Sequence, residues 1–223
     1  MFQRMLLPSH LEVPILLPLP YLRNVGIVAL LKSLHPDWSP AAIKSAIMTT
    51  EGMPFKVADP FDFGSGLANA NAANDPGLVY DMGTFDYILY LCSMGYKSDD
   101  INNIIDGAAS CPLKRPSILD VNLPSLTIPN LKGTVGVRRT VTNVGPKNSK
   151  YKAIIEPPPG ITIKVKPETL IFNSHISKIS FTLTISATHE YNTQFEFGSL
   201  TWSAVVHQVR IPISVRTEFP QLI

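Results

Sequence analysis

Apolar residues fill nearly every face of the stretch VGIVALLKSL, Val25 to Leu34, which is the pattern of a helix buried all round. His35 and Pro36 end it. Ser39 then offers an N-cap and Pro40 a favoured first residue for a second helix, AAIKSAIMTT, running to about Thr50. Beyond a loop rich in Gly, Asp and Pro (DPFDFGSG, then NDPGLVYD), Thr84 to Met94 reads as a third helix stopped by Gly95. Ser98 with Asp99 and Asp100 caps a fourth, stopped by Gly107. After Pro112 and Pro116 the period changes from helical to alternating. Strands are expected at 121–128, 136–144, 151–156, 161–167, 169–172, 178–186, 197–204 and 206–215, separated by turn signals such as NVGP, EPPPG and NSH. So many short strands point to an antiparallel sandwich with its own core. Alternation turns Ile161, Ile163 and Val165 inward, with Phe181, Leu183 and Ile185 on a second strand and Val209, Ile211 and Ile213 on a third. Leu200 and Trp202 share a face and join that core.

The fold class is therefore α+β, a helical portion followed by an all-β sandwich. Boundaries follow the pattern: a proline-rich leader at 1–23, the helical portion at 24–107, a linker at 108–120, the sandwich at 121–217 and a tail at 218–223. The leader carries Pro8, Pro14, Pro18 and Pro20, which break any continuous helix. Arg4 and the run Leu6 to Leu22 imitate a signal peptide. Ser9, His10, Glu12 and the prolines interrupt that run, however, and no small-residue cleavage site follows, so the leader reads as a segment without a structural role.

Composition narrows the function classes. Of 223 residues only 16% are charged, against the usual roughly 25%, and 19 Lys+Arg nearly balance 17 Asp+Glu. A dense basic stripe for nucleic acid is excluded. No uncharged apolar run reaches the ~18 residues of a membrane span. His10, His35, His175, His189 and His207 are scattered, with no Ser or Cys at a strand-to-helix turn to act as their nucleophile. Asp59, Asp62, Asp75 and Asp81 sit in turns beside Pro or Gly, where Asp bonds its own backbone, and lack the alternating spacing of a Ca²⁺ loop. No zinc spacing is present, and Gly64 to Gly66 lack the Lys-Ser/Thr of a phosphate loop. No metal or cofactor is implied. Arg138, Arg139, Lys164 and Lys166 could face an acidic partner, but Glu156 and Glu168 intersperse them, so a solvated face is the better reading. The two cysteines, Cys92 and Cys111, are too few for a disulfide scaffold, and no N-x-[ST] sequon supports secretion.

Five runs carry a resemblance: GIVALLKSLHPDWSPAAIKSAIMTT, DPFDFGSG, DPGLVYD, YLCSMGY and RTVTNVG. Together they resemble the C-terminal part of plant subtilisin-like serine proteases (subtilases), from Asn24 to about Thr217. The resemblance implies the helical end of a subtilisin-type α/β catalytic domain, then a fibronectin type III-like domain. In that family the nucleophile sits in a G-T-S-M-x-x-P-H-x-A-G motif that opens the helix continued here by Gly26 to Leu34. A gap-free count places Pro18 opposite the serine, and proline has no nucleophilic atom. The family's Asp, His and oxyanion Asn lie upstream of this helix. The resemblance thus implies a chain without the triad and inactive by itself, a triad acting as a unit. The alternative is a partial record of an active secreted endopeptidase. Cysteines at 92 and 111 resemble a disulfide pair of the family, a bridge expected if the chain is secreted, whereas free thiols are the reading for a chain that never enters the secretory route. Relatives are extracellular or in the cell wall.

In the family the helical portion packs against a central parallel sheet. Without it, Ile27, Val28, Leu30 and Leu31 are expected to be exposed, each costing about 1.5 to 3 kcal/mol relative to burial. Docking on the sandwich, binding another protein chain, or aggregation would follow. The expectation is a stable module from about Val121 and a loosely ordered Asn24 to Ile105.

Overall fold

The computed structural model describes residues 19–50, 69–105 and 107–219. Helix α1 spans Leu19–Leu34. It begins upstream of the expected Val25, because Pro20 falls in the first turn, where a missing N–H breaks no intrahelical bond. Pro18 lies outside the described residues. The helix is not buried all round: Ile27 and Leu31 are covered, while Val28, Leu30 and Leu34 are exposed. Helix α2 spans Pro40–Thr49, and the Ser39 hydroxyl accepts the Ala42 N–H at 3.0 Å, as the Ser-Pro pair predicts. A short helix α3 follows at Ala70–Asn74 and a two-residue strand β1 at Leu78–Val79.

Helix α4, Thr84–Met94, ends at Gly95 with φ of 101°, a left-handed stop that glycine adopts without strain. Helix α5 is shorter than expected, Ser98–Asn102, and ends well before Gly107. Its N-cap is Lys97 rather than Ser98, because Asp100 reaches back to accept the Lys97 N–H at 3.1 Å. The Cys92 and Cys111 sulfurs are joined in a disulfide, with Cα atoms 5.6 Å apart. Around it, among the described residues, lies a small cluster of Cys92, Ile101 and Ala109, with Ile88, Leu91 and Ile105 packed against it. With so little apolar burial nearby, the bridge holds α4, α5 and the following loop together. Replacing both cysteines by serine is expected to cost this region about 3 kcal/mol. Hydrogen exchange would read it: amides of 91–102 should speed up while those of the sandwich stay slow.

The sandwich has two sheets. One runs β1–β3–β7–β5, with β3 at Thr134–Asn143, β5 at Ile161–Lys166 and β7 at Lys178–Ala187. The other runs β2–β9–β8–β4–β6, with β2 at Leu126–Leu131, β4 at Ser149–Glu156, β6 at Thr169–Phe172, β8 at Glu196–Ser203 and β9 at Gln208–Thr217. All eight expected strands are present. Every pairing is antiparallel except β2 with β9, which run parallel, so the sandwich is not purely antiparallel. The residues turned inward by alternation are all buried, and the Trp202 ring meets Phe181 edge-on at 4.9 Å between centroids.

The two halves are not separate bodies. Strand β1, from the helical portion, pairs antiparallel with β3, Leu78 opposite Asn143 and Val79 opposite Thr142. Leu78 and Tyr80 are fully buried in the sandwich core, whereas Val79 packs the other way, with Leu31, Ala42 and Ala46 of the helices. Helix α2 also rests on β9. Of the outcomes left open by the sequence, docking on the sandwich is seen for the described helices.

Candidate functional site at the seam between helices and sandwich

The seam is built on the turn at 75–82. Gly77 takes φ of 76°, and its carbonyl accepts the N–H groups of Val144 at 2.9 Å and Gly145 at 3.1 Å. A Cβ on Gly77 would stand 2.5 Å from the Tyr151 hydroxyl and 2.7 Å from His207 Cγ. One on Gly145 would stand 3.2 Å from the Gly77 Cα. Downstream, the Ser45 hydroxyl on α2 accepts the Tyr80 N–H at 2.9 Å, and the Asn122 amide donates to the Asp81 carbonyl at 2.9 Å. Asn122 also exchanges two 2.8 Å bonds with the Thr140 backbone, tying the linker to β3. Thus the RTVTNVG run is chiefly the receiving edge for the DPGLVYD run.

Arg139, in the same run, is 3% exposed and so is no part of a solvated basic face. Its guanidinium donates to the carbonyls of Leu119, Ser125 and the neighbouring Arg138, and the first two bonds tie the segment ahead of β2 to β3. Burial lowers its pKa to about 10, partly offset by nearby Tyr80 and Asp120. Arg138, Lys164 and Lys166 are exposed as expected. Burial also pushes the Tyr80 phenol far above its ordinary range, and raises Tyr151 to about 12 with help from the negative charge of Asp75.

These shifts give the seam an alkaline limit. Each tyrosine keeps its proton in the native state after the unfolded chain has begun to lose it, so their contribution is complete below pH 10 and drains as pH rises toward 12. Arg139 acts in the opposite sense over the same window, the native state releasing its proton first. With two tyrosines against one arginine, the urea midpoint should fall between pH 10 and 12. Tyr151→Phe should flatten that fall, and an unchanged slope would contradict the assignment.

Three cavities line this region. A polar one of about 530 Å³ lies between helix α3 and the β8–β9 turn, bordered by Thr49, Asn71, Asp75, His207 and Arg210. An apolar groove of about 440 Å³ runs between α1 and α2, lined by Val28, Trp38, Pro40, Ile43 and Ile47. The third, about 250 Å³, holds Asp81, Asp120 and Arg139.

None of the three brings a nucleophile to a base. His207 faces Asp75 at 2.9 Å across the seam, His35 lies 2.9 Å from the carbonyl of Asn74 and stacks on Trp38, and His189 stacks on Tyr191. His175 is exposed. Among the described residues no serine hydroxyl bonds a histidine, and both cysteines are consumed by the disulfide. Asp81 accepts from the Ser39 hydroxyl and from the Met82 N–H, in keeping with a turn role. Among the described residues no group of His, Cys, Asp or Glu is placed to hold a metal ion, and no helix is long and apolar enough to cross a membrane. His10, Asp59, Asp62 and the segment Gly64 to Gly66 lie outside the described residues.

Comparison with family models agrees with the sandwich. A fibronectin type-III domain model matches residues 120–215. Subtilisin-like protease SBT3.4 of Arabidopsis thaliana is 53% identical over 88% of this chain and 27% of its own length. Subtilisin-like protease SBT3.6 of the same plant is 54% identical over 88% and 27%. The chain therefore spans about a quarter of the length of the curated relatives it matches. Among solved structures, SSP-19, an MSP-domain protein like family member of Caenorhabditis elegans, covers 43% of this chain and 95% of its own at 14% identity and a TM-score of 0.31.

Proposed function

We propose that this chain, which is similar to the C-terminal part of plant subtilisin-like serine proteases and carries a fibronectin type III-like domain, is a non-catalytic portion of such a protease. Its sandwich braces the helices rather than performing chemistry. Residues 1–223 by themselves then hydrolyse no peptide bonds and need no cofactor. The observation that supports this is the lack, among the described residues, of any hydroxyl or thiol bonded to an imidazole, with every described histidine but the exposed His175 engaged elsewhere. Pro18 at the position matching the family's serine agrees with it. Location outside the cell or in the cell wall follows the relatives, and the disulfide suits an oxidising compartment.

The test uses the purified polypeptide, a fluorophosphonate that labels active serine hydrolases, and casein. No labelling and no cleavage above a buffer control are expected. A labelled band that heat denaturation abolishes would overturn the proposal.

One observation favours a second reading, that the chain works as part of an active endopeptidase. The groove between α1 and α2 is almost wholly apolar, and Val25, Val28, Leu30 and Leu34 beside it are 41% to 52% exposed. Such a patch marks a partner surface, which a peptidase body would cover. Transcript sequencing across the codons for Pro20 to Gly26 separates the readings. Continuation into codons for a serine motif supports the second, and the leader as written supports the first.

A further inference from the structure

We propose that the β3 edge of the sandwich, from Val141 to Gly145, is a binding site for an extended peptide of the pattern Gly-Leu-x-Tyr, which this chain fills with its own residues 77–80. Among the described residues, strand β1 is last in its sheet and its neighbour is β3. It contributes main-chain bonds along that edge and buries Leu78 and Tyr80, alternate side chains, in a core otherwise made by residues beyond 118. Main-chain pairing for affinity and alternate side-chain pockets for selectivity are how extended peptides join a sheet edge.

The selectivity can be read residue by residue. Position 77 admits only glycine, because its φ is positive and any Cβ would strike Tyr151 and His207. Position 78 enters the core beside β3 without a polar atom to satisfy. Position 80 needs a flat ring, since Tyr80 meets the Phe181 ring edge-on at 6.4 Å. Position 79 turns its side chain toward the helices, into the cluster of Leu31, Ala42 and Ala46. The closing contact, Asn122 to the carbonyl of Asp81, involves backbone on the peptide side and so sets no further side-chain requirement.

The contact is also separable from the covalent chain. The disulfide closes within the helical half, Cys92 to Cys111, and does not reach the sandwich. Past Cys111 the two halves are joined by one exposed strap, Pro112 to Pro116, in which Leu113 is completely solvent-exposed. Cutting that strap leaves only non-covalent contacts. This inference is independent of whether the chain is catalytic.

The test replaces residues 112–116 of the full chain with the recognition sequence of a specific protease and cuts it. The halves should still co-elute on gel filtration. A synthetic peptide of residues 75–82 in excess should then drive them into separate peaks, and the same peptide carrying Leu78→Asp and Tyr80→Asp should not. Halves that part as soon as the strap is cut overturn the proposal. So do two peptides with the same effect, including none.

Discussion

Trp202→Ala is expected to destabilise the chain by about 4 kcal/mol, the cost of emptying a large aromatic site that its neighbours can refill only in part. Trp202 lies at the centre of the five-stranded sheet, on β8 between Ala153 of β4 and Val209 of β9, and no part of it reaches solvent. Its ring bridges the two sheets by meeting Phe181 on β7. The side chain contributes chiefly volume and aromatic contact between the sheets. Trp202→Phe should therefore recover most of the loss. Urea unfolding followed by far-UV circular dichroism measures both. A loss under about 1 kcal/mol for the alanine variant, the scale of an ordinary surface change, would mean the ring is not the core anchor described here. Because Phe181 also touches Tyr80, the alanine variant should loosen the helices in the same transition.

The sandwich was legible because a half-buried strand writes itself as strict alternation. In β5 the pattern Ile-Thr-Ile-Lys-Val-Lys can place its apolar residues on one side only, and burial follows it position by position. Helix α2 was legible for another reason, since Ser39 and Pro40 carry local chemistry that acts wherever the segment sits. Strand β1 has neither signal. Two residues define no period, and Leu78, Val79 and Tyr80 are all apolar or aromatic because they serve two cores on opposite faces. Arg139 was hidden as well: with Glu156 and Glu168 interspersing the basic residues it reads as solvated, yet its guanidinium donates to carbonyls of Leu119 and Ser125, in a segment whose course the sequence does not reveal. Helix α1 misled in the opposite direction: its all-round apolarity predicts full burial, and this chain supplies cover for one side. The disulfide stood between, since spacing alone left it open and the family resemblance singled out the pair.

Gly77→Val should cost about 4 to 5 kcal/mol, of which up to about 2 is the left-handed backbone at a residue with a Cβ and up to about 3 the overpacking of its surroundings. The strain is severe because φ of 76° is an outlier for any β-branched residue, and because the space a side chain would need holds the Tyr151 hydroxyl and the His207 ring. Neither can simply retreat. Tyr151 is fully buried between the sheets, and His207 is held toward Asp75 across the seam. The alternative for the variant is to pull the 75–82 turn away from β3, which frees Gly77 from the close contact and withdraws Leu78 and Tyr80 from the core. That predicts a particular pattern of damage. Hydrogen exchange should quicken at Val144 and Gly145, whose N–H groups bond the Gly77 carbonyl, before it quickens at the β7 amides on the far side of β3. If exchange rises instead at one rate through β3, β7 and β5, the turn and the sandwich form one cooperative unit, and β1 is an integral strand of it rather than an inserted peptide.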